Sequence, residues 1–368
     1  MIKYKILTII GARPQFMKSA AVSKEIHKIK NFSEIIVHTG QHYDKSMSEV
    51  FFSQLGMSTP KYHLKTGGKS HNEMIGLIIL EVDKIIKKEK PSLLLVYGDT
   101  NSTLAGAIAA KKSNIPIAHV EAGVRNFDEF MPEEVNRYIT DRISNLNFCV
   151  TKKGKNNLIN EGFTKSNISS KLIISGDVMY DIFLETYKKV SEKIYSNISK
   201  NIINSNFILC TIHRASNVDN PKILKEIIES LNIIHKEIKV IMLVHPRTKK
   251  IIDKNKINTN CITLNPIGYE ETLFALSKCK YVITDSGGLV REAYFAQKKS
   301  LFILSKPLWP EINEENCSIN VSPKTSSILL SFSKLKVLNS SFKNKIFGKG
   351  NASSVIVKEI KSFLQHNA

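Results

Sequence analysis

A chain of 368 residues is too long for one ordinary domain and suits two, and a hydrophobic share of 42% is enough to give each a buried core. Lys and Arg number 53 against 33 acids, a formal net charge of +20, yet the lysines are scattered among Asn and Ile and form no basic helix or Arg/aromatic stripe, which argues against a nucleic-acid partner. No apolar run is long enough to insert in a membrane, and five cysteines without paired spacing argue against a disulfide framework or a thiolate metal site.

The first apolar run, Ile6–Ile10, stops at Gly11-Ala-Arg-Pro without a small-residue cleavage site, so it reads as a strand and not a signal peptide. With reduced, buried cysteines, this points to a cytoplasmic protein. Strands then alternate with helical patterns. Ile35–His38, Leu93–Tyr97, Ile117–Val120, Leu146–Val150 and Leu172–Ile174 are the strands, with helices over Ala20–Ile29, Glu73–Lys88, Thr103–Lys112 and Lys155–Glu161. A polar helix and an Asn/Ser-rich link fill Tyr180 to Ser205. A second series follows, with strands Phe207–Thr211, Val240–Val244, Tyr281–Thr284 and Leu301–Leu304 and helices Lys222–His235, Glu270–Lys278 and Leu289–Ala296. This is an α/β pattern of two Rossmann-like domains facing across a cleft. The domains span 1–185 and 206–350, and an amphipathic C-terminal segment, 351–368, is expected to pack back on the first domain.

In open parallel sheets ligands collect beyond the carboxyl ends of the strands. Asp99 ends the strand Leu93–Tyr97, and Glu121 ends the strand Ile117–Val120. Pro132 suits the first position of a helix, which puts Glu133 and Glu134 in its first turn with Arg137 one turn on. Either glutamate alone suits the helix dipole. Two carboxylates directly behind buried strands are harder to account for structurally, and they mark the candidate site. Gly11-Ala-Arg-Pro lacks the Gly-x-Gly-x-x-Gly fingerprint, so no dinucleotide is expected, but Arg13 and Lys18 flank a helix start that suits an anion.

In the second half Thr284-Asp-Ser-Gly-Gly288 opens a helix. Ser286, Gly287 and Gly288 suit a diphosphate, and Glu292 a ribose hydroxyl pair; a plain strand-to-helix turn would read the same way. His213 and His245 end neighbouring strands at the same sheet edge. No spacing implies a metal, and no cofactor is expected.

Taken together, Gly11-Ala-Arg-Pro, His38-Thr-Gly-Gln-His, Gly98-Asp-Thr, His119-Val-Glu-Ala-Gly, Pro132-Glu-Glu-x-x-Arg, Gly176-Asp-Val, His213-Arg, His245-Pro and Thr284-Asp-Ser-Gly-Gly resemble the non-hydrolysing UDP-N-acetylglucosamine 2-epimerases, in family order over nearly the whole chain. The resemblance implies the fold of the GT-B glycosyltransferases, UDP held mainly by the second domain, and a homodimer formed mainly through the first. It implies removal of the C2 proton as UDP leaves C1, a 2-acetamidoglucal intermediate, and re-addition of UDP. By motif match Asp99, Glu121, Glu133 and His213 form the catalytic set. Arg13, Lys18, His245, Ser286, Gly287, Gly288 and Glu292 hold the UDP-sugar. The product would feed cell-surface polysaccharide.

Departures from the family pattern stand at Asp44, where an activator-binding glutamine is replaced, at Val290-Arg-Glu-Ala-Tyr-Phe, and at Leu304-Ser-Lys-Pro-Leu-Trp-Pro-Glu311, where Trp309 replaces an arginine. Arg13-Pro-Gln-Phe, Gly40-Gln-His-Tyr-Asp, Gly176-Asp-Val-Met-Tyr-Asp181 and Glu292-Ala-Tyr-Phe lean toward the subgroup acting on UDP-2,3-diacetamido-2,3-dideoxyglucuronate. Three other functions compete. A GT-B glycosyltransferase would need no pair of C2-facing carboxylates. A hydrolysing epimerase would release the free sugar. A non-enzymatic binder would tolerate loss of Glu121 and His213.

Overall fold

A computed structural model describes residues 4–41, 52, 57–128, 130–163, 170–190, 206–304, 306–343 and 345–366. His42, Asp44, the link over 191–205 and the side chain of Arg13 lie outside this description. The chain divides into two units, Met1–Ile182 with Lys345–Ala368, and Phe183–Asn344.

Each unit is built on one parallel sheet. The first holds β1 (Tyr4–Ile10), β2 (Phe32–His38), β3 (Tyr62–His63), β4 (Leu93–Tyr97), β5 (Ile117–Ala122), β6 (Leu146–Cys149) and β7 (Lys171–Ile174), in the order β3-β2-β1-β4-β5-β6-β7. The second holds β8 (Phe207–Thr211), β9 (Lys239–Leu243), β10 (Ile262–Leu264), β11 (Tyr281–Thr284), β12 (Lys299–Ile303) and β13 (Ser318–Val321), in the order β10-β9-β8-β11-β12-β13. Both orders are doubly wound. The winding direction reverses between β1 and β4 in one sheet and between β8 and β11 in the other, and these switch points open the crevices where ligands bind.

The strands β3, β10 and β13 were not anticipated from sequence. They are two to four residues long and partly exposed, so they carry no continuous apolar run. The helices Pro246–Lys254 and Thr325–Val337 also escaped the periodicity reading; the first is so rich in lysine that it resembles a loop.

Helix starts are set locally. Proline occupies the first turn of Arg13–His27, Pro132–Ile143, Pro221–Glu237, Pro246–Lys254 and Pro310–Glu314, where its missing N–H has no intrahelical partner to lose. Side chains of Ser70, Thr100, Thr151 and Ser286 cap other helices.

The cores follow from strands buried on both faces. Leu7, Ile9, Val37, Leu94, Val96 and Ile117 pack against Ile78, Val82 and the alanines of the helix Asn101–Lys112. Ile208, Cys210, Val240, Met242 and Ile283 pack with Ile227, Leu231, Ile328 and Phe332 in the second unit. All five cysteines are free and buried.

The returning C-terminal helix, Ala352–His366, lies against the helix Arg13–His27 of the first unit. Asp181 caps it, accepting from the Ala352 N–H at 3.0 Å and the Ser353 N–H at 2.8 Å. Gly176 and Gly348 let the two chain segments meet: a Cβ on Gly176 would lie 2.9 Å from the Phe347 carbonyl oxygen. Among the described residues no helix is long and apolar enough to cross a membrane.

Candidate active site

The first unit gathers its ionisable groups at the β1/β4 switch point. Asp99 follows β4, and Glu121 stands next to last in β5, where the pairing with β6 shifts register between Val120 and Ala122. Glu121 has φ +75, a left-handed conformation that costs a non-glycine residue about 1–3 kcal/mol and is retained where surrounding structure imposes it. Its carboxylate pairs with the Lys18 ammonium, and both side chains are nearly buried, 12% and 8% exposed. Gly98, at φ +65, leaves the space for this pair: a Cβ there would lie 3.3 Å from the Glu121 carboxylate. Lys18, expected to hold the ligand's anion, thus faces a protein carboxylate.

Arg137 joins the remaining acids. Its guanidinium pairs with Asp99 and, at 2.6 Å, with Glu134. Glu134 is buried, and its other oxygen accepts the backbone N–H groups of Asn126 (3.2 Å) and Phe127 (2.9 Å). Asn136 donates to the Asp99 carbonyl at 2.9 Å. Burial pushes the Asp99 carboxyl up, but the charges of Arg137 and Lys18 outweigh it and hold it below the usual carboxylate range. Glu133, named by motif for catalysis, is exposed on the first turn, while its neighbour enters the ionic network. The helix Pro132–Ile143 separates the two by rotating successive side chains apart.

Three features of this site went unassigned in the sequence. Gln15, buried in the first turn of its helix, accepts from the Gly11 and Ala12 N–H groups and donates to the Tyr97 carbonyl, Thr100 and Thr103. His119 meets Asp141 at 2.7 Å. Arg125 pairs with Asp141 at 2.8 Å and doubly with Glu161. A signal was present: Asn136, Arg137, Thr140 and Asp141 recur at helical spacing on one face, which is a polar face and yet buried.

The second unit organises its switch point differently. Asp285, fully buried after β11, accepts from the backbone N–H groups of His213 (3.0 Å) and Arg214 (2.9 Å) and from the Asn217 side chain (3.1 Å). This fixes the turn after β8 and leaves the His213 ring 40% exposed, with its Nδ1 3.3 Å from Asp285. The His213 and His245 rings lie 6.0 Å apart. Burial, then the nearby His213 and Arg247, push the His245 imidazole below its usual range, and its ring accepts the Arg247 N–H at 3.2 Å as a helix cap.

Ser286 caps the helix Gly287–Phe295 by accepting the Leu289 N–H at 3.3 Å, so Gly287 and Gly288 form its first turn. A helix start of this kind offers N–H groups and a favourable dipole to an anion. Glu292 is buried one turn on, and the Arg291 guanidinium stacks 4.4 Å from the ring centre of Trp309, itself buried. Trp309 therefore packs inside the second unit. Among the described residues no group of His, Cys, Asp and Glu is arranged to hold a metal ion.

Geometry and comparison converge here. The family model described as UDP-N-acetylglucosamine 2-epimerase matches residues 24–361. The chain belongs to that family. It is 42% identical over 357 residues to the UDP-2,3-diacetamido-2,3-dideoxy-D-glucuronate 2-epimerase of Pseudomonas aeruginosa, covering 96% of this chain and 98% of that one. It is 38% identical over 364 residues to a UDP-N-acetylglucosamine 2-epimerase of Methanococcus maripaludis, covering 96% and 97%. The crystal structure of the Methanocaldococcus jannaschii UDP-GlcNAc 2-epimerase in complex with UDP-GlcNAc and UDP superimposes with a TM-score of 0.88 at 35% identity, over 97% of this chain and 99% of that one. The family's GT-B-like fold is the one described above.

Proposed function

We propose that this protein epimerises C2 of a UDP-2-acetamido sugar without hydrolysing it. The observation that carries the reading is the pair of carboxylates, Asp99 and Glu121, at adjacent strand ends, each matched to a buried cation. Inverting C2 requires proton removal from one face and delivery to the other, hence two acid/base groups. Loss of UDP from C1 gives a 2-acetamidoglucal, and UDP adds back once C2 is reprotonated. Glu133 and His213 complete the catalytic set by motif. Arg13, His245, Ser286, Gly287, Gly288 and Glu292 bind UDP, whose leaving charge suits the dipole of the helix Gly287–Phe295. Lys18 acts beside Glu121, where it also offsets the developing diphosphate charge.

For substrate we favour UDP-2,3-diacetamido-2,3-dideoxyglucuronate, supported by the four subgroup segments and by the 42% identical relative of that name. The enzyme would work in the cytoplasm, supplying a surface-polysaccharide precursor.

A homodimer through the first unit fits its exposed apolar residues. Val135, Tyr138 and Ile139 lie along one face of the helix Pro132–Ile143, and Phe130 just before it is 97% exposed. Light scattering on Ile139→Glu should then give half the mass of the parent protein.

The reaction is tested by incubation with each UDP-sugar in deuterated water while C2 is followed by NMR. Deuterium at C2 with a new UDP-linked epimer is expected, faster with the diacetamido sugar. Free sugar accumulating beside UDP would make it a hydrolysing enzyme. UDP binding without exchange would return the chain to the glycosyltransferases or binders.

A further inference from the structure

We infer that the fully buried His119–Asp141 pair is a positioning device that holds the Asp99 turn and the Glu121 turn in fixed relation; what those carboxylates do rests on the epimerase reading. The backbone ladder between β4 and β5 ends with the Gly98 N–H donating to the Val120 carbonyl at 2.9 Å. Beyond that rung β5 bulges at Glu121, and the ladder no longer ties the two turns together.

A chain of side-chain contacts spans the gap. His119 Nε2 meets the Gly98 carbonyl at 2.7 Å, one residue before Asp99. His119 Nδ1 meets Asp141 Oδ1 at 2.7 Å. Asp141 Oδ2 accepts the Gly123 N–H at 3.1 Å, two residues after Glu121. The path therefore runs from one carboxylate-bearing turn to the other through two side chains with no exposed surface.

The two imidazole nitrogens thus face two oxygens, the Gly98 carbonyl and the Asp141 carboxylate. Asp141 meets that ring on one oxygen and Arg125 on the other at 2.8 Å, and Arg125 is anchored in turn by Glu161. Burial raises the Asp141 carboxyl, but His119 and Arg125 outweigh it and hold it below the usual range. A buried ion pair is a poor source of stability, since well-packed apolar residues often do as well. The contacts at its ends here are the Gly98 carbonyl, bonded directly to the Asp99 nitrogen, and the Gly123 N–H, two residues past Glu121, which is where a positioning role would put them. Neither side chain reaches solvent, so the pair acts through those turns and not on the sugar.

The test uses the full-length protein and the variants His119→Gln and Asp141→Asn, the second nearly isosteric and chosen to keep the fold. Turnover is split into kcat and KM, and the carboxyl carbons of Asp99 and Glu121 are titrated by 13C NMR without UDP. The charges facing these groups are Lys18 and Arg137, and neither variant replaces them.

We expect kcat to fall roughly a hundredfold, as for a small misplacement of reacting groups, with KM changed by less than about twofold. Both carboxyl titrations should move. Titrations that superimpose on the parent protein's, with activity falling only in step with the folded fraction, would reduce the pair to ordinary structural support. Should the parent protein catalyse no C2 exchange, the epimerase reading fails, while the carboxyl titrations still decide whether the pair positions the two turns.

Discussion

The turns behind β4 and β5 and those behind β8 and β11 lie at the carboxyl edges of two sheets with the same winding, at or beside each switch point, yet their carboxylates meet different kinds of partner. In the first unit Asp99, Glu121 and Glu134 face cations, Lys18 and Arg137, so the charge is held close to where chemistry could use it. In the second unit Asp285 faces backbone N–H groups, so its charge is absorbed in shaping a turn, and the His213 ring is left partly outside. The same strand order thus supports carboxylates paired with cations in one unit and a turn tied together by a carboxylate in the other. What distinguishes them is that Asp99, Glu121 and Glu134 each meet Lys18 or Arg137, whereas Asp285 is held chiefly by backbone N–H groups and the Asn217 amide.

Breaking the first arrangement should have the largest effect. Glu121→Gln should lower turnover by about a thousandfold, about 4 kcal/mol of barrier, while UDP affinity by calorimetry stays within about twofold. A parallel loss of UDP affinity would mean that the acid/base and nucleotide roles are not divided between the units as proposed. Next comes Asp285→Ala, which strands the His213 and Arg214 N–H groups and the Asn217 amide; urea unfolding should show about 3 kcal/mol of lost stability. Asp99→Asn, with its side chain 35% exposed, should cost less than about 1 kcal/mol by the same measurement. Equal losses would erase the contrast drawn here.

A smaller effect concerns pH. Asp99 and Asp141 are held below the usual carboxylate range, so the stability they contribute is complete above their unfolded values and disappears as pH falls through the folded ones. Glu34 has the opposite sign. Its side chain is buried with Thr8 at 2.5 Å and His27 at 3.8 Å, and burial raises its carboxyl despite the Ser23 and Thr8 hydrogen bonds and the nearby His27. The stability of its protonated form is present below the unfolded value and lost as pH rises through the folded one. Glu34→Gln should therefore raise stability at neutral pH and leave it little changed in acid; chemical denaturation at both pH values would reveal this, and a uniform loss would contradict it.

The least change is expected from thiol reagents. Burial pushes Cys149 in the first unit and Cys279 in the second up to about 12, so neither should react in the native state. Labelling during urea titration would then report which unit opens first.

Much of this was legible from the chain. The strands with continuous apolar runs, the carboxylates behind β4 and β5, and the Ser286 turn follow from local patterning. The short edge strands β3, β10 and β13 did not, because two to four partly exposed residues carry too little periodicity. Local patterning gave Glu133 and Glu134 the same place in one first turn and only the motif singled out Glu133; rotation about the helix exposes Glu133 and buries Glu134.

By itself, then, the sequence determined the α/β alternation, the two-unit plan and the strand-end positions of the candidate groups, since apolar runs, prolines and glycines act on their immediate neighbours. Only the tertiary structure decided the partners. Lys18 reaches Glu121 across 103 residues, Arg137 reaches Asp99 across 38, and Asp141 reaches His119 across 22. No local pattern encodes such pairs, because they exist only once the doubly wound sheet has brought the ends of its central strands together.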